Sequence, residues 1–287
     1  MPIIEQISLK FIFMKLLIPL LLSSFISFAQ TTYKYKLTTE VDRGGRKSKT
    51  VSIAELTTVN NKNSVYEVRW VSKISYEKDT LILDSIAQKV KPYTISLSPK
   101  GSVALPKLTI PEMTGEITDL NTFFVALSPA LNSQKLTVYS PVYVNNKLLH
   151  ENFADGVYIL QGSDCIQVTQ TLLKTTGRYS VIKTEFVPPS SFCLVPLLDT
   201  IAHISFDSPN NFQMLQKAGS DKVNLLWGME SFTVVSTIDN KSRRILEATM
   251  ENNLNLRMRY NASTDLRAYA AEIPFAIKRK LKLELLP

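Results

Sequence analysis

Two serine–lysine pairs at the spacing of serine acyl enzymes stand in this sequence, Ser75-Tyr-Glu-Lys78 and Ser180-Val-Ile-Lys183. That chemistry needs the serine at a helix start, its proton taken by the lysine, with further partner motifs close by. Both pairs fall instead in runs that alternate apolar and polar residues, so neither is assigned as a nucleophile. The only histidines, His150 and His203, are far apart without ligand spacing, and no Gly-x-Ser-x-Gly, His-Glu-x-x-His, P-loop or Gly-x-Gly-x-x-Gly pattern occurs. Carboxylate pairs build a glycosidase without any sequence signature, yet Asp155, Asp164 and Glu185 are placed no better than other acids of turns and strands. The sequence nominates no catalytic residue, no metal site and no cofactor.

Large aromatics remain. Trp70 and Trp227 fall on the apolar faces of strand-like runs, where they line a ligand cavity or pack the core. Phe123 and Phe124 sit together in an amphipathic segment that either covers a hydrophobic concavity or is plain core. These four are the candidate ligand-binding residues.

The segment Met14 to Gln30 supplies the compartment. Lys15 gives a positive start, Leu16 to Phe28 a largely apolar stretch, and Ser27-Phe28-Ala29 a small-x-small cleavage site. Residues 1–29 are therefore expected to be a removable export signal with Met14 as its true start, leaving 30–287 as the mature chain, periplasmic or secreted. A membrane span would need about 20 consecutive apolar residues, and Lys15, Pro19, Ser23 and Ser24 interrupt this one. No integral span is expected after cleavage. In an oxidising compartment Cys165 and Cys193 are allowed to form a disulfide; two buried thiols are the alternative.

With 287 residues, 45% hydrophobic and 20% charged, the chain is long enough to bury its own core. The formal charge is +8 and falls by one when Lys10 and Lys15 leave with Glu5. Export makes nucleic acid an unsuitable partner for that basicity and leaves anionic membrane surfaces, acidic glycans or simple solvation.

The elements that would position these residues are mostly strands. Tyr33, Tyr35, Leu37, Thr39 and Val41 alternate with Lys34, Lys36, Thr38, Glu40 and Asp42, the period of a half-buried antiparallel strand. Asp42-Arg43-Gly44-Gly45 is a hairpin turn, Ser48 to Val59 a return strand, and Val65 to Tyr76 a third, with Tyr66, Val68, Trp70 and Ile74 predicted to share a face. The period then changes: apolar residues at 120, 123, 124 and 127 predict a short helix with Thr118 or Asp119 as N-cap and Pro129 as stop. A second helix is predicted over Ser208 to Gly219, from serine at N-cap, proline at N1 and glycine at C′. Strands return at 156–161, 165–174, 178–187, 222–227, 230–238, 243–250, 254–260 and within 266–286. The reading is mainly β: a curved antiparallel sheet or open half-barrel with a few short helices, as one domain of two loosely similar halves. An outer-membrane barrel also alternates, but paired aromatic girdles and a terminal aromatic are missing from this pattern.

The export signal, the Tyr33 to Tyr76 meander, the Leu120 to Leu127 helix and the Trp227 to Tyr260 strands resemble secreted Bacteroidota proteins of the domain-of-unknown-function type. Some of those are similar to the LolA/LppX lipoprotein-carrier half-barrels. Asp79-Thr80-Leu81, Asp84-Ser85-Ile86 and Asp199-Thr200-Ile201 likewise resemble the O-glycosylation acceptor of exported proteins in that phylum. The resemblance implies a curved sheet over helices that holds acyl chains, with no functional residue carried over. The expected function is a non-enzymatic binding module for a lipid-like or other hydrophobic ligand. An envelope structural or interaction protein, with an envelope protein as partner, is second, and a hydrolase third.

Overall fold

The structure, a computed structural model, describes residues 31–60, 65–77, 80–96, 110–127, 138–139, 142–146, 152–154, 157–159, 166–187 and 212–287. The export segment, Cys165, Cys193, His150, His203, Lys78, Asp155, Asp164 and the Asp199 motif lie outside the described residues.

The chain opens as the expected meander: β1 (Thr32–Arg43), β2 (Arg46–Asn60) and β3 (Val65–Glu77). Gly44 and Gly45 turn the first hairpin with φ of 60° and 90°, conformations glycine adopts without a Cβ penalty, and the Gly45 amide donates to Asp42 Oδ1 at 2.7 Å. Shorter strands follow: β4 (Thr80–Asp84), β5 (Tyr93–Ser96), β6 (Val142–Asn146), β7 (Asn152–Ala154) and β8 (Val157–Ile159). Then come β9 (Ile166–Thr175), β10 (Tyr179–Val187), β11 (Phe212–Lys217) and three long strands, β12 (Lys222–Asp239), β13 (Ile245–Ser263) and β14 (Ala271–Leu285). All fourteen join one sheet whose main path runs β4-β3-β2-β1-β14-β13-β12-β10-β9-β6, so the last strand closes against the first meander. β1 and β14 pair from Tyr35↔Leu285 to Arg43↔Ile277.

Among the described residues one α-helix, α1 (Thr114–Leu127), crosses the concave face. Its N-terminal half touches β3, where Lys73 Nζ meets Glu116 Oε1 at 3.0 Å. Its last turn touches β9 and β10, where Gln170 Nε2 and Thr184 Oγ1 donate to Ala126 O at 2.7 and 2.8 Å. In a flat sheet β3 and β9, seven spacings apart on the path, would be separated by about 34 Å. The two helix contacts lie only about 15 Å apart along its axis. The sheet therefore curls around the helix into a half-barrel. No helix among the described residues is long and apolar enough to cross a membrane.

Three sequence expectations are corrected. Phe212–Lys217 is a strand, not a helix: it pairs with β12 and with β8, and these ladders outweigh the local Ser-Pro start signal, while Gly219, at φ 148°, serves the β11–β12 turn instead of a helix C-terminus. Helix α1 begins at Thr114, so Thr118 and Asp119 are interior positions; the Thr118 hydroxyl donates back to Thr114 O at 2.7 Å and Asp119 is engaged elsewhere, as described below. In β3 a bulge shifts the register where Ile53 and Ala54 face Ser72 and Trp70, which inverts the phase beyond it. Lys73, not Ile74, thereby joins Tyr66, Val68 and Trp70 on the concave face.

Candidate functional site

Successive residues of a strand point to opposite faces, and the registers of β1, β14, β13 and β12 place the concave positions in rows. Leu37, Leu283, Ala248 and Ser236 form one row, Thr39, Leu281, Met250 and Val234 the next. Together with Tyr35, Trp70 and the helix these belong to the main core, in which Trp70, Phe123 and Phe124 are no more than 2% exposed. Phe124 packs edge-on against Tyr66 with ring centroids 6.2 Å apart. The described side chains beneath the helix pack against one another.

One row further, the concave face turns polar. Arg279 and Asn252 share a row with Phe232, and Glu230 lies in the next with Leu254 and Ile277; the three polar side chains occupy phases that hold apolar residues elsewhere on the same strands. Arg279 Nη2 donates to both carboxylate oxygens of Asp119 at 2.5 Å, and Thr39 Oγ1 adds a third bond to Asp119 at 3.2 Å. Asn252 Nδ2 donates to Glu230 Oε1 at 2.8 Å, while the buried Asn252 Oδ1 has no hydrogen-bond partner. Burial holds both carboxyls above the usual carboxylate range; Arg279 pulls Asp119 down, and the Asn252 amide and Arg279 pull Glu230 down, without cancelling it. With Lys73–Glu116, the helix is pinned to the sheet by two buried ion pairs at its start and two hydrogen bonds at its end. It is a fixed bar rather than a loose lid.

Beyond this band the concave face becomes apolar again. Leu226, Leu254 and Leu256 are buried, and Phe212, Met214, Met258, Phe275 and Ile277 are partly buried around them. The strip reaches the end of the sheet, where Tyr260 and Ile273 are 45% and 42% exposed. Gly228 lies in the same row as Leu256 and Phe275; its φ is 148°, and a Cβ there would collide with Asn255 O.

The sequence-nominated residues are thus divided. Trp70, Phe123 and Phe124 come together in the main core, and Trp227 lies on the opposite face, in a cluster with Leu225, Ala262 and Leu266. There the Arg259 guanidinium stands 5.6 Å from the Trp227 ring centroid and 4.5 Å from that of Tyr269. The Ser180–Lys183 pair forms no dyad: the serine hydroxyl donates to Asn240 Oδ1 at 2.7 Å and Lys183 Nζ pairs with Glu185 at 2.6 Å. A half-open groove of about 450 Å³ lies at the β3 bulge, lined by Glu55, Arg69, Trp70, Val71 and Gln88; Glu55 there is already paired with Lys34. Among the described residues no three His, Cys, Asp or Glu side chains are grouped to hold a metal ion.

No family model matches the chain, and no curated protein matches it in sequence. Among solved structures it is similar to one described as lipid–protein interactions in lipovitellin, at 9% identity and a TM-score of 0.44. The likeness covers 89% of this chain and 25% of that one, so the chain spans a quarter of its length. At that identity and score, nothing about ligand or activity follows from it.

Proposed function

We propose that the protein is a non-enzymatic binding module for a hydrophobic or amphiphilic small molecule, carried in an exported half-barrel on the concave strip beyond the helix. The observation that supports this is the second apolar patch, Leu226, Leu254, Leu256 with Phe275 and Ile277, cut off from the main core by the Arg279–Asn252–Glu230 band. The Arg279–Asp119 pair fixes the helix, but among the described residues the apolar patch beyond it forms a cluster apart from that core, and the buried Asn252 Oδ1 beside it is left without a partner, a cost that folding alone does not call for. The cargo surface is thereby moved away from Phe123 and Phe124, which the sequence nominated.

The test is uptake of N-phenyl-1-naphthylamine, whose fluorescence rises on leaving water, together with native mass spectrometry of protein purified from its own envelope. Phe275→Ser and Met258→Ser should lower probe affinity severalfold while the protein stays folded. Wild-type protein that neither takes up probe nor carries a co-purifying ligand sinks the reading. A second reading, an envelope interaction protein without cargo, is favoured by the burial of Phe123 and Phe124 in the main core and expects that result.

A further inference from the structure

The end of the sheet at which the strip opens is also where exposed apolar side chains gather. Of the seven exposed large hydrophobic side chains among the described residues, three, Tyr260, Tyr269 and Ile273, lie around the β13–β14 hairpin; the others are Val59 in β2, Ile82 in β4 and the neighbours Val138 and Tyr139 outside the strands. Lys222, Arg257 and Arg267 surround them, all exposed. The β1–β2 turn, on the same side of the sheet but level with Ile277, six residues short of Ala271, adds exposed Arg43, Arg46 and Lys47. Acidic side chains near the hairpin, Asp221, Asp265 and Glu272, equal its exposed basic ones in number, Glu272 being already paired with Arg257 at 2.8 Å and Arg259 at 3.1 Å, so the basic excess comes from Arg259 and from the β1–β2 turn. Tyrosine at the level of lipid headgroups, apolar side chains just beyond it and a basic surround form the pattern that peripheral proteins present to a bilayer. Its Tyr269 ring is held by the Arg259 guanidinium, which also faces Trp227, so the docking surface is built on a packed support.

We infer that the β13–β14 end of the half-barrel docks on an anionic lipid bilayer, with Tyr260, Tyr269 and Ile273 entering the interface and the basic residues facing the headgroups. This goes beyond cargo binding, and it brings the open end of the apolar strip to the membrane surface.

The experiment is flotation of the processed protein, as isolated from cells, with vesicles of phosphatidylcholine alone or mixed with phosphatidylglycerol. Wild type should float with the mixed vesicles, less so as salt rises, and only weakly with phosphatidylcholine. Tyr260→Ser/Tyr269→Ser/Ile273→Ser should lower partitioning by about tenfold or more. Arg43→Gln/Arg46→Gln/Lys47→Gln should lower it on anionic vesicles only, by about fivefold for each charge engaged. Both variants carry the same N-terminus as wild type and alter exposed positions, so an unchanged melting temperature confirms the fold. Equal flotation of wild type and the triple serine variant overturns the inference, as does absence of wild-type binding to anionic vesicles. So does a wild-type dimer, seen by sedimentation and lost in the serine variant, because the patch would then serve a second copy. Probe uptake is measured separately in solution, so failure of docking and failure of cargo binding are told apart.

Discussion

Arg279→Met tests whether the helix is a fixed bar. In the wild type the Asp119 carboxylate, 3% exposed as a side chain, receives two bonds from Arg279 Nη2 and one from Thr39. Removing the guanidinium leaves a buried carboxylate with one hydroxyl partner, a loss of about 3–5 kcal/mol. At the usual scaling for a chain of this size that lowers the melting temperature by about 6–20 °C. Asp119→Asn should cost less, about 1–3 kcal/mol, because Arg279 is 21% exposed as a side chain and can hydrate. The asymmetry has a pH signature. Burial already raises the Asp119 pKa, and without Arg279 the rise is larger. A carboxyl whose folded pKa is raised contributes stability below its unfolded pKa and loses it as pH climbs through the folded value. The cost of Arg279→Met should therefore be small near pH 4 and grow towards pH 7, by at most about 1.4 kcal/mol per pH unit. Chemical denaturation of both single variants and the double variant, at three pH values, gives the measurement. A pH-independent cost, or strict additivity of the two substitutions, would refute the buried-pair reasoning.

Phe123→Ala should cost about 3–5 kcal/mol and leave probe uptake by whatever remains folded unchanged, as read by denaturation and fluorescence titration. Glu230→Gln should flatten the decline of stability as pH rises above the ordinary glutamate range, since its raised carboxyl contributes most when protonated; thermal melts from pH 4 to 8 compare the slopes. Gly228→Ala should destabilise by at least the roughly 1–3 kcal/mol of its backbone conformation, more for the collision with Asn255 O, and a melting temperature within a degree of wild type would contradict this. N-terminal sequencing of exported protein should begin at Gln30, and an intact Met1 or Met14 in the membrane fraction would exclude cleavage there.

Much of the sheet was legible because a period of two is a strong signal when one face is buried. The faces of β1, β13 and β14, the glycine turn after Asp42 and the Asp239 turn, where Asp239 Oδ1 accepts from the Ser242 amide at 2.6 Å, follow from local pattern. The polar band was legible in principle. Arg279 sits in phase with Leu281, Leu283 and Leu285, and Asn252 in phase with Met250 and Leu254; a charged or amide residue at an apolar phase of adjacent strands is a sign of a buried partner. Glu116 and Asp119, three apart on a helix with buried Ile117 and Leu120, carried the complementary sign. Lys73 was not legible, because its place depends on a bulge that alternation alone cannot locate. Phe212–Lys217 was misread since a six-residue segment takes its structure from its ladder partners, one of which, β8, is distant in sequence.

The division of the concave face follows from strand length. β12, β13 and β14 run for 18, 19 and 15 residues, which is about 50–60 Å of strand, whereas a helix laid across them covers a width of about 10–12 Å. One bar cannot close such a trough, so strands this long carry an apolar surface beyond it that needs another covering. From Arg279 to Ala271 that surface extends for about 26 Å, longer than the roughly 15 Å hydrocarbon depth of one bilayer leaflet. An acyl chain can therefore lie along the strip, its apolar end over Phe275 and Leu256, with its polar end at either limit: against the acceptors Glu230 and Asn252, or at the basic, tyrosine-bearing end. The two orientations separate by head-group charge. Glu230 and Asp119 outnumber Arg279 at the inner limit, which disfavours an anionic head there and admits a neutral donor or a cation. Competition of a long-chain amine, alcohol and carboxylate for the bound probe should rank the carboxylate weakest if heads point inward, and Glu230→Gln should narrow that gap; a carboxylate that competes most strongly would place the heads at the basic, open end.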